Sequence, residues 1–359
     1  MDFTPGAQDP PSVATRPPGL LVRADASVEI GTGHLMRCLA LAQAWQDAGG
    51  RAFVLSAELP DGLADRLGRE QVQLRRVVVP VGSDADAAAT VQTARDLQAE
   101  WVVVDGYRFA PGFLHILRDS GLRVMIIDDM AHLDRYPVDL LLNQNLGSSR
   151  ALYTGKIGAE VPVLLGPRFG LLRREFRCAP PGRDPVGGRA PRVLVSMGGA
   201  DYENYTLLVL QRLAALGLRI EAVVLAGAAN PHVDTLKAYA AQSPFPCEVR
   251  VNLENVAEAM DWADLGITAG GSTVWELAAR RLPALIGAIS ADQLAMLPGL
   301  RAIGGFRAMT MGELLSGDLS AELTALLAAR PEFGDFDADG AARVVACLTS
   351  PPQTPVSIP

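Results

Sequence analysis

Along the first half of this chain, apolar runs rich in β-forming residues alternate with stretches of helical periodicity, and that alternation leaves few folds open. The runs are Leu20 to Ala24, Arg51 to Ser56, Trp101 to Asp105, Arg123 to Asp128 and Asp139 to Asn143. They spell a parallel sheet wound with helices. Several of them end in polar residues: Asp105, Asp128 with Asp129, and Asn143. In open α/β sheets the ligand crevice lies at the carboxyl ends of the strands, so these residues are expected on one rim.

The segment 179–191 is dense in Pro and Gly and poor in apolar residues, which reads as a linker. A second set of strands follows it. Arg192 to Met197 ends at Gly198-Gly199, and Arg219 to Ala226 and Asp264 to Ala269 repeat the strand-then-glycine pattern. With 359 residues and 49% hydrophobic content, two cores are affordable. The expected organisation is an α/β protein of GT-B architecture, two Rossmann-like doubly wound domains facing across a cleft, spanning 20–178 and 192–350. The final helical run, Ala341 to Leu348, can cross back to the first domain. Residues 1–19, with five prolines, and 351–359 are expected to be disordered extensions.

A net charge of −8 argues against wide nucleic-acid or anionic-membrane surfaces. An anionic ligand would have to be held by local dipoles and a few arginines, which suits a nucleotide better than a polymer. Cys38, Cys178, Cys247 and Cys347 are scattered, with no Cys-x-x-Cys or His-x-x-x-His pair, so neither a metal site nor a disulfide framework is expected. No signal peptide or membrane span is legible, so a cytoplasmic protein is expected, with no membrane insertion and no cofactor.

The sharpest chemistry lies in Gly31-Thr32-Gly33-His34-Leu35-Met36-Arg37-Cys38, a glycine-rich turn between the first strand and a helix. Such turns bind phosphate through backbone N–H groups and the positive end of the helix. Glycines alone would mark only a tight turn, and a lone histidine at a helix start can be a cap or a surface residue. Together they set a titratable base beside an anion site, where a neutral imidazole could accept a proton.

This passage resembles the signature of the UDP-sugar hydrolases of pseudaminic acid biosynthesis, where the same glycine-histidine-arginine-cysteine pattern follows an Arg-x-Asp strand. Ile126-Ile127-Asp128-Asp129, then Asp139 to Asn145, then Gly166 to Phe176 look like that family's later blocks, in its order. The match runs from about residue 20 to about residue 300. The resemblance implies release of UDP from UDP-2,4-diacetamido-2,4,6-trideoxy-beta-L-altropyranose by water that His34 activates, with inversion, in a pathway leading to nonulosonic acids and flagellin glycosylation. It also places Tyr107 near the sugar, although by spacing alone Tyr107 reads as a half-buried tyrosine with a bonded hydroxyl. Gly31, Gly33 and Arg37 become binding candidates.

In the second half, Gly270-Gly271-Ser272-Thr273-Val274-Trp275-Glu276 follows a strand and looks like the uridine-diphosphate site of the MurG-like glycosyltransferases. There the turn meets the diphosphate and the glutamate binds ribose hydroxyls, roles that would fall to Gly270, Gly271, Ser272, Thr273 and Glu276. As a bare pattern, Thr273-x-x-Glu276 is a capping box. Gly198 and Gly199 could admit a ligand's diphosphate or sugar, or simply turn the chain. Asn255 matches a position near the uracil and, as a helix-start Asn, also reads as a cap. Gln293 sits where the family carries a Glu-Asn-Gln-like run, and here Asp292 replaces the amide. Asp128 and Asp129, adjacent on a strand, point to opposite faces and so should not share a proton; one of them could orient His34 or bind sugar amides. His115, His132 and His232 read as surface helix, loop and turn residues. Two competitors remain: a GT-B glycosyltransferase using the same uridine site, and a silent nucleotide-sugar-binding subunit.

Overall fold

The computed structural model describes residues 18–350 apart from 181, 184, 185, 228, 330, 331 and 335. The expected extension, save Pro18 and Gly19, and the expected tail over 351–359 lie outside those residues, as do three positions of the 179–191 segment.

The first sheet contains β1 (Gly19–Ala24), β2 (Arg51–Ser56), β3 (Gln73–Arg76), β4 (Ala99–Asp105), β5 (Arg123–Ile127), β6 (Leu140–Asn143) and β7 (Val163–Leu165). All are parallel, in the order β3-β2-β1-β4-β5-β6-β7. β1 is buried along its length because it lies between β2 and β4, with Leu21 paired to both Phe53 and Val102. Its side chains alternate between two apolar cores, Leu20 and Val22 on one face and Leu21 on the other. That explains an unbroken apolar run rather than an alternating one.

The second sheet repeats the plan with β8 (Arg192–Ser196), β9 (Glu221–Ala226), β10 (Cys247–Val251), β11 (Leu265–Ala269), β12 (Ala284–Ala288) and β13 (Phe306–Thr310). It too is parallel, in the order β10-β9-β8-β11-β12-β13. In each sheet the winding reverses beside its first strand, between β1 and β4 and between β8 and β11. Those reversal points are where doubly wound sheets open a crevice at their carboxyl edges.

The two halves exchange segments. The helix Gly340–Thr349 comes last among the described elements, yet Ala341, Val344, Val345 and Leu348 pack in a core of the first sheet. The indole N–H of Trp101 donates to the Leu348 carbonyl at 2.9 Å. In the other direction, Leu172 and Phe176 pack into a core of the second sheet. Within the Pro/Gly-rich linker, Arg183 donates to the carbonyls of Met260, Ala263, Arg280 and Arg281, tying that segment to two helix ends. Among the described residues, no helix is long and apolar enough to cross a membrane.

Candidate active site

A cavity of about 690 Å³ lies between the two carboxyl edges, lined from both halves. Gly31 closes the loop after β1 with a positive φ of 81°, its N–H donating to the Ser27 carbonyl at 2.9 Å. A side chain there would be strained, which accounts for glycine at that position. The helix Gly33–Asp47 then begins without a side-chain cap, so its first N–H groups are left for a ligand. His34 stands in the first turn of that helix.

Its partner is Asp105, the last residue of β4. The ring nitrogen Nδ1 donates to Asp105 Oδ1 at 2.7 Å, because a carboxylate can only accept. Nε2 has no partner among the described residues, and His34 lines the cavity. One helical turn on, Arg37 forks to two carboxylates. Nε and Nη2 reach Asp105 at 2.7 and 2.6 Å, and Nη1 and Nη2 reach Asp129 at 2.8 and 2.9 Å. The Cys38 thiol also donates to Asp105, at 3.3 Å, and burial together with that carboxylate pushes it well up, so it remains a protonated donor. Burial would raise the Asp105 carboxyl, but Arg37 and His34 outweigh it and hold it well below the usual carboxylate range. Asp129 is lowered by Arg37 in the same way, against its own burial.

Tyr107 meets His34 edge-on, with ring centroids 5.1 Å apart, and its hydroxyl donates to Asp129 at 3.0 Å. Partial burial, Asp129 and Asp292 push the phenol up, so it acts as a donor and not as a base. Asn145 adds a second donor to Asp129 at 3.1 Å.

The adjacent aspartates do face opposite ways, and neither orients His34. Asp128 turns away from the cavity and accepts from Ala131 N–H, the Tyr153 and Tyr136 hydroxyls and His132. Four donors to one buried carboxylate make it a framework group, which corrects its expected contact with substrate. The loop residue His132 is thereby a framework partner as well.

From the second half, Gly271, Ser272, Thr273 and Glu276 line the cavity. The capping box does not form: Ser272, not Thr273, precedes the helix Thr273–Ala279, and Ser272 makes no cap bond. The Glu276 carboxylate instead accepts from Arg173 Nη2 at 2.8 Å. Burial raises it, Arg173 draws it back, and the nearby Glu175 adds to the rise. Arg66 joins this network by donating to Glu175 at 3.1 Å and to the Glu254 carbonyl at 2.7 Å. Arg173 and Arg66 also line the cavity; beside the distant Glu276 and Glu175, each meets a carboxylate close in sequence, Arg173 with Glu175 at 3.4 Å and Arg66 with Glu70 at 3.2 Å.

Gly270 is not in the lining; its N–H donates to Gln293 Oε1 at 3.0 Å, and Ile289 N–H donates to the same atom at 3.0 Å. Gln293 therefore shapes the turn while lining the cavity. Asn255 caps the helix Val256–Trp262 through Glu258 N–H and does not face the cavity, which corrects its expected contact.

Gly198 and Gly199 line the cavity, but the space beside Gly199 is already taken. A Cβ there would stand 1.8 Å from Thr32 Oγ1 and 2.8 Å from Thr32 Cβ. The glycine lets the first half approach the second. Gly199→Ala is expected to cost about 1–3 kcal/mol through this clash, and Thr32→Gly in the same chain should recover most of the loss. Urea unfolding of the single and double variants checks the pairing, and a double variant no more stable than Gly199→Ala would place the strain elsewhere.

Two Rossmann-like sheets with one cleft between their carboxyl edges define a GT-B protein, and solved structures share the fold. Acinetobacter baumannii MurG superposes with a TM-score of 0.57 at 18% identity, over 92% of this chain and 99% of that one. The S. aureus MnaA-UDP co-structure gives 0.64 at 11% identity, over 95% and 100%. No family model matches the chain. In sequence it is similar to the UDP-2,4-diacetamido-2,4,6-trideoxy-beta-L-altropyranose hydrolase of Campylobacter jejuni, with 22% identity over 260 residues, 72% of this chain and 86% of that protein. That is the hydrolase type whose motifs the sequence resembles.

Proposed function

We propose that this chain is an enzyme that processes a UDP-linked sugar, and specifically that it hydrolyses UDP-2,4-diacetamido-2,4,6-trideoxy-beta-L-altropyranose to UDP and the free sugar. One observation carries the reading: a His34–Asp105 dyad in which His34 lines the cavity between the halves and Nε2 has no partner among the described residues. Nε2 takes a proton from water as the water oxygen bonds to the anomeric carbon. The carbon–oxygen bond to the diphosphate breaks, and UDP leaves with the electron pair. Asp105 holds the ring's orientation and steadies the imidazolium that forms. A single displacement of this kind inverts the anomeric centre.

The other roles follow from donor and acceptor chemistry. Backbone N–H groups at Gly33 and at Gly271 to Thr273 are suited to the diphosphate, while Gly31, whose own N–H is bound to Ser27, turns the loop that brings Gly33 there. Glu276, an acceptor held by Arg173, suits ribose hydroxyls. Positive charge developing at the anomeric carbon is favoured by Asp129, which Arg37 and Tyr107 hold in place. Gly198, Gly199 and Gln293 shape the walls. In this reading the product enters pseudaminic acid biosynthesis in the cytoplasm.

The test is UDP release from the diacetamido altrose nucleotide, with purified protein, EDTA and no acceptor. Helix N-termini and arginines can neutralise a diphosphate, so release is expected to persist in EDTA. Loss of release that magnesium restores would contradict that account. Tight binding without release would instead favour a GT-B glycosyltransferase awaiting an acceptor.

A further inference from the structure

Two carboxylates at the ends of the neighbouring strands β4 and β5 each hold a histidine, and the displacement above uses one of the two. Asp105 ends β4 and accepts from His34. Asp128 follows directly on β5 and accepts from Nδ1 of His132 at 3.1 Å. Tyr107 meets both imidazoles. Its ring centroid lies 5.1 Å from that of His34 and 5.5 Å from that of His132, with interplanar angles of 85° and 84°. Near-perpendicular pairs of this kind set the positive edge of one ring against the negative face of the other. Tyr107 is 46% exposed, so burial alone does not fix its ring, and these contacts decide where its hydroxyl points. That hydroxyl donates to Asp129 at 3.0 Å.

The ring of His132 is itself held at a cost. The residue before it, Ala131, has a positive φ of 51°, a conformation that a side chain other than glycine's disfavours. Both of its backbone groups are tied down: its N–H donates to Asp128 at 2.7 Å and its carbonyl accepts from Lys156 at 2.6 Å. Asp128 does not depend on His132 for this, because the Ala131 N–H and the Tyr136 and Tyr153 hydroxyls already donate to it. His132 is also absent from the residues that line the cavity, so it is not a substrate contact. We propose that His132 is a positioning residue: it fixes the Tyr107 ring, keeps the hydroxyl on Asp129, and affects turnover through Tyr107 alone. The inference deepens the hydrolase reading and rests on it for the effect on turnover.

Two substitutions separate the ring of His132 from its bond to Asp128. His132→Asn keeps an N–H donor for Asp128 and removes the ring, whereas His132→Phe keeps a ring and removes the donor. For each, UDP release and UDP affinity are measured, together with the fluorine NMR signal of Tyr107 in fluorotyrosine-labelled protein, assigned by its loss in Tyr107→Phe. His132→Asn is expected to lower kcat about tenfold, well inside what a misplaced group can cost, with UDP affinity unchanged and the Tyr107 signal shifted. His132→Phe should stay within a few-fold of the unaltered enzyme. In a Tyr107→Phe background, His132→Asn should cost nothing further, because the hydroxyl through which it acts is gone. A Tyr107 signal that His132→Asn leaves in place overturns the inference. So does the reverse order of activities, with Asn near normal and Phe impaired, or a full His132→Asn loss that persists in Tyr107→Phe. Absence of UDP release from the unaltered enzyme overturns the hydrolase reading instead, and the fluorine signal still decides whether His132 holds Tyr107.

Discussion

His34→Ala is expected to lower the rate of UDP release by about 10²- to 10⁴-fold while leaving UDP affinity nearly unchanged, the usual size of general-base assistance. The expectation follows from the division of labour across the cleft. His34 is tied to Asp105 and lines the cavity, whereas Glu276 and the Gly271 to Thr273 turn belong to the other half. Removing the imidazole should therefore cost kcat and spare the nucleotide's binding. Steady-state turnover together with UDP calorimetry separates the two. Turnover within a few-fold of the unaltered enzyme would remove His34 from the mechanism.

Arg37→Ala is expected to cost about 3–5 kcal/mol of folding stability, because it strands two buried carboxylates that share a single guanidinium. Arg37→Lys should recover only part, since an ammonium cannot fork to Asp105 and Asp129 together. Urea unfolding at neutral pH measures both variants. A loss below about 1 kcal/mol in Arg37→Ala would mean that the carboxylates find other partners. The same pairs set an acid limit. The Asp105 and Asp129 carboxyls are held below their ordinary values in the folded state, so their stabilisation is complete above the unfolded carboxylate value near 4 and drains away as pH falls below it. Stability that stayed flat on acidification through that range would contradict the assignment. In Arg37→Ala this acid sensitivity should be blunted, because the cation that lowers both groups is gone.

Most strands with a neighbour on both sides were legible, while the strands at the edges were not. β1, β2, β4, β8, β9 and β11 carry apolar runs because neighbours cover them on both sides and helices cover both faces. β3, with the sequence Gln73-Leu74-Arg75-Arg76, and β10 are edge strands with partly exposed side chains, and their residues do not distinguish strand from loop. β7, at the other edge of the first sheet, is only three residues long. β13 lies beyond residue 300, where the resemblance to known blocks thins out. β12 is fully buried and apolar, and periodicity alone could not separate it from a helix segment.

The candidate site divides along the same line. Local order in the chain determined that Gly31 would turn, that a helix would start at Gly33, that His34 would stand at its head, and that Asp128 and Asp129 would part to opposite faces. Each of these depends on backbone conformation over a few residues, which neighbouring side chains dictate. Only the tertiary structure decided that Asp105 orients His34, that Arg37 binds Asp105 and Asp129 together, that Arg173 meets Glu276, and that Gly199 makes room for Thr32. These partners lie scores of residues apart and meet because two sheets present their carboxyl edges to one cleft. Side-chain identity sets which contacts are favourable, but the winding of the chain sets which of them can occur.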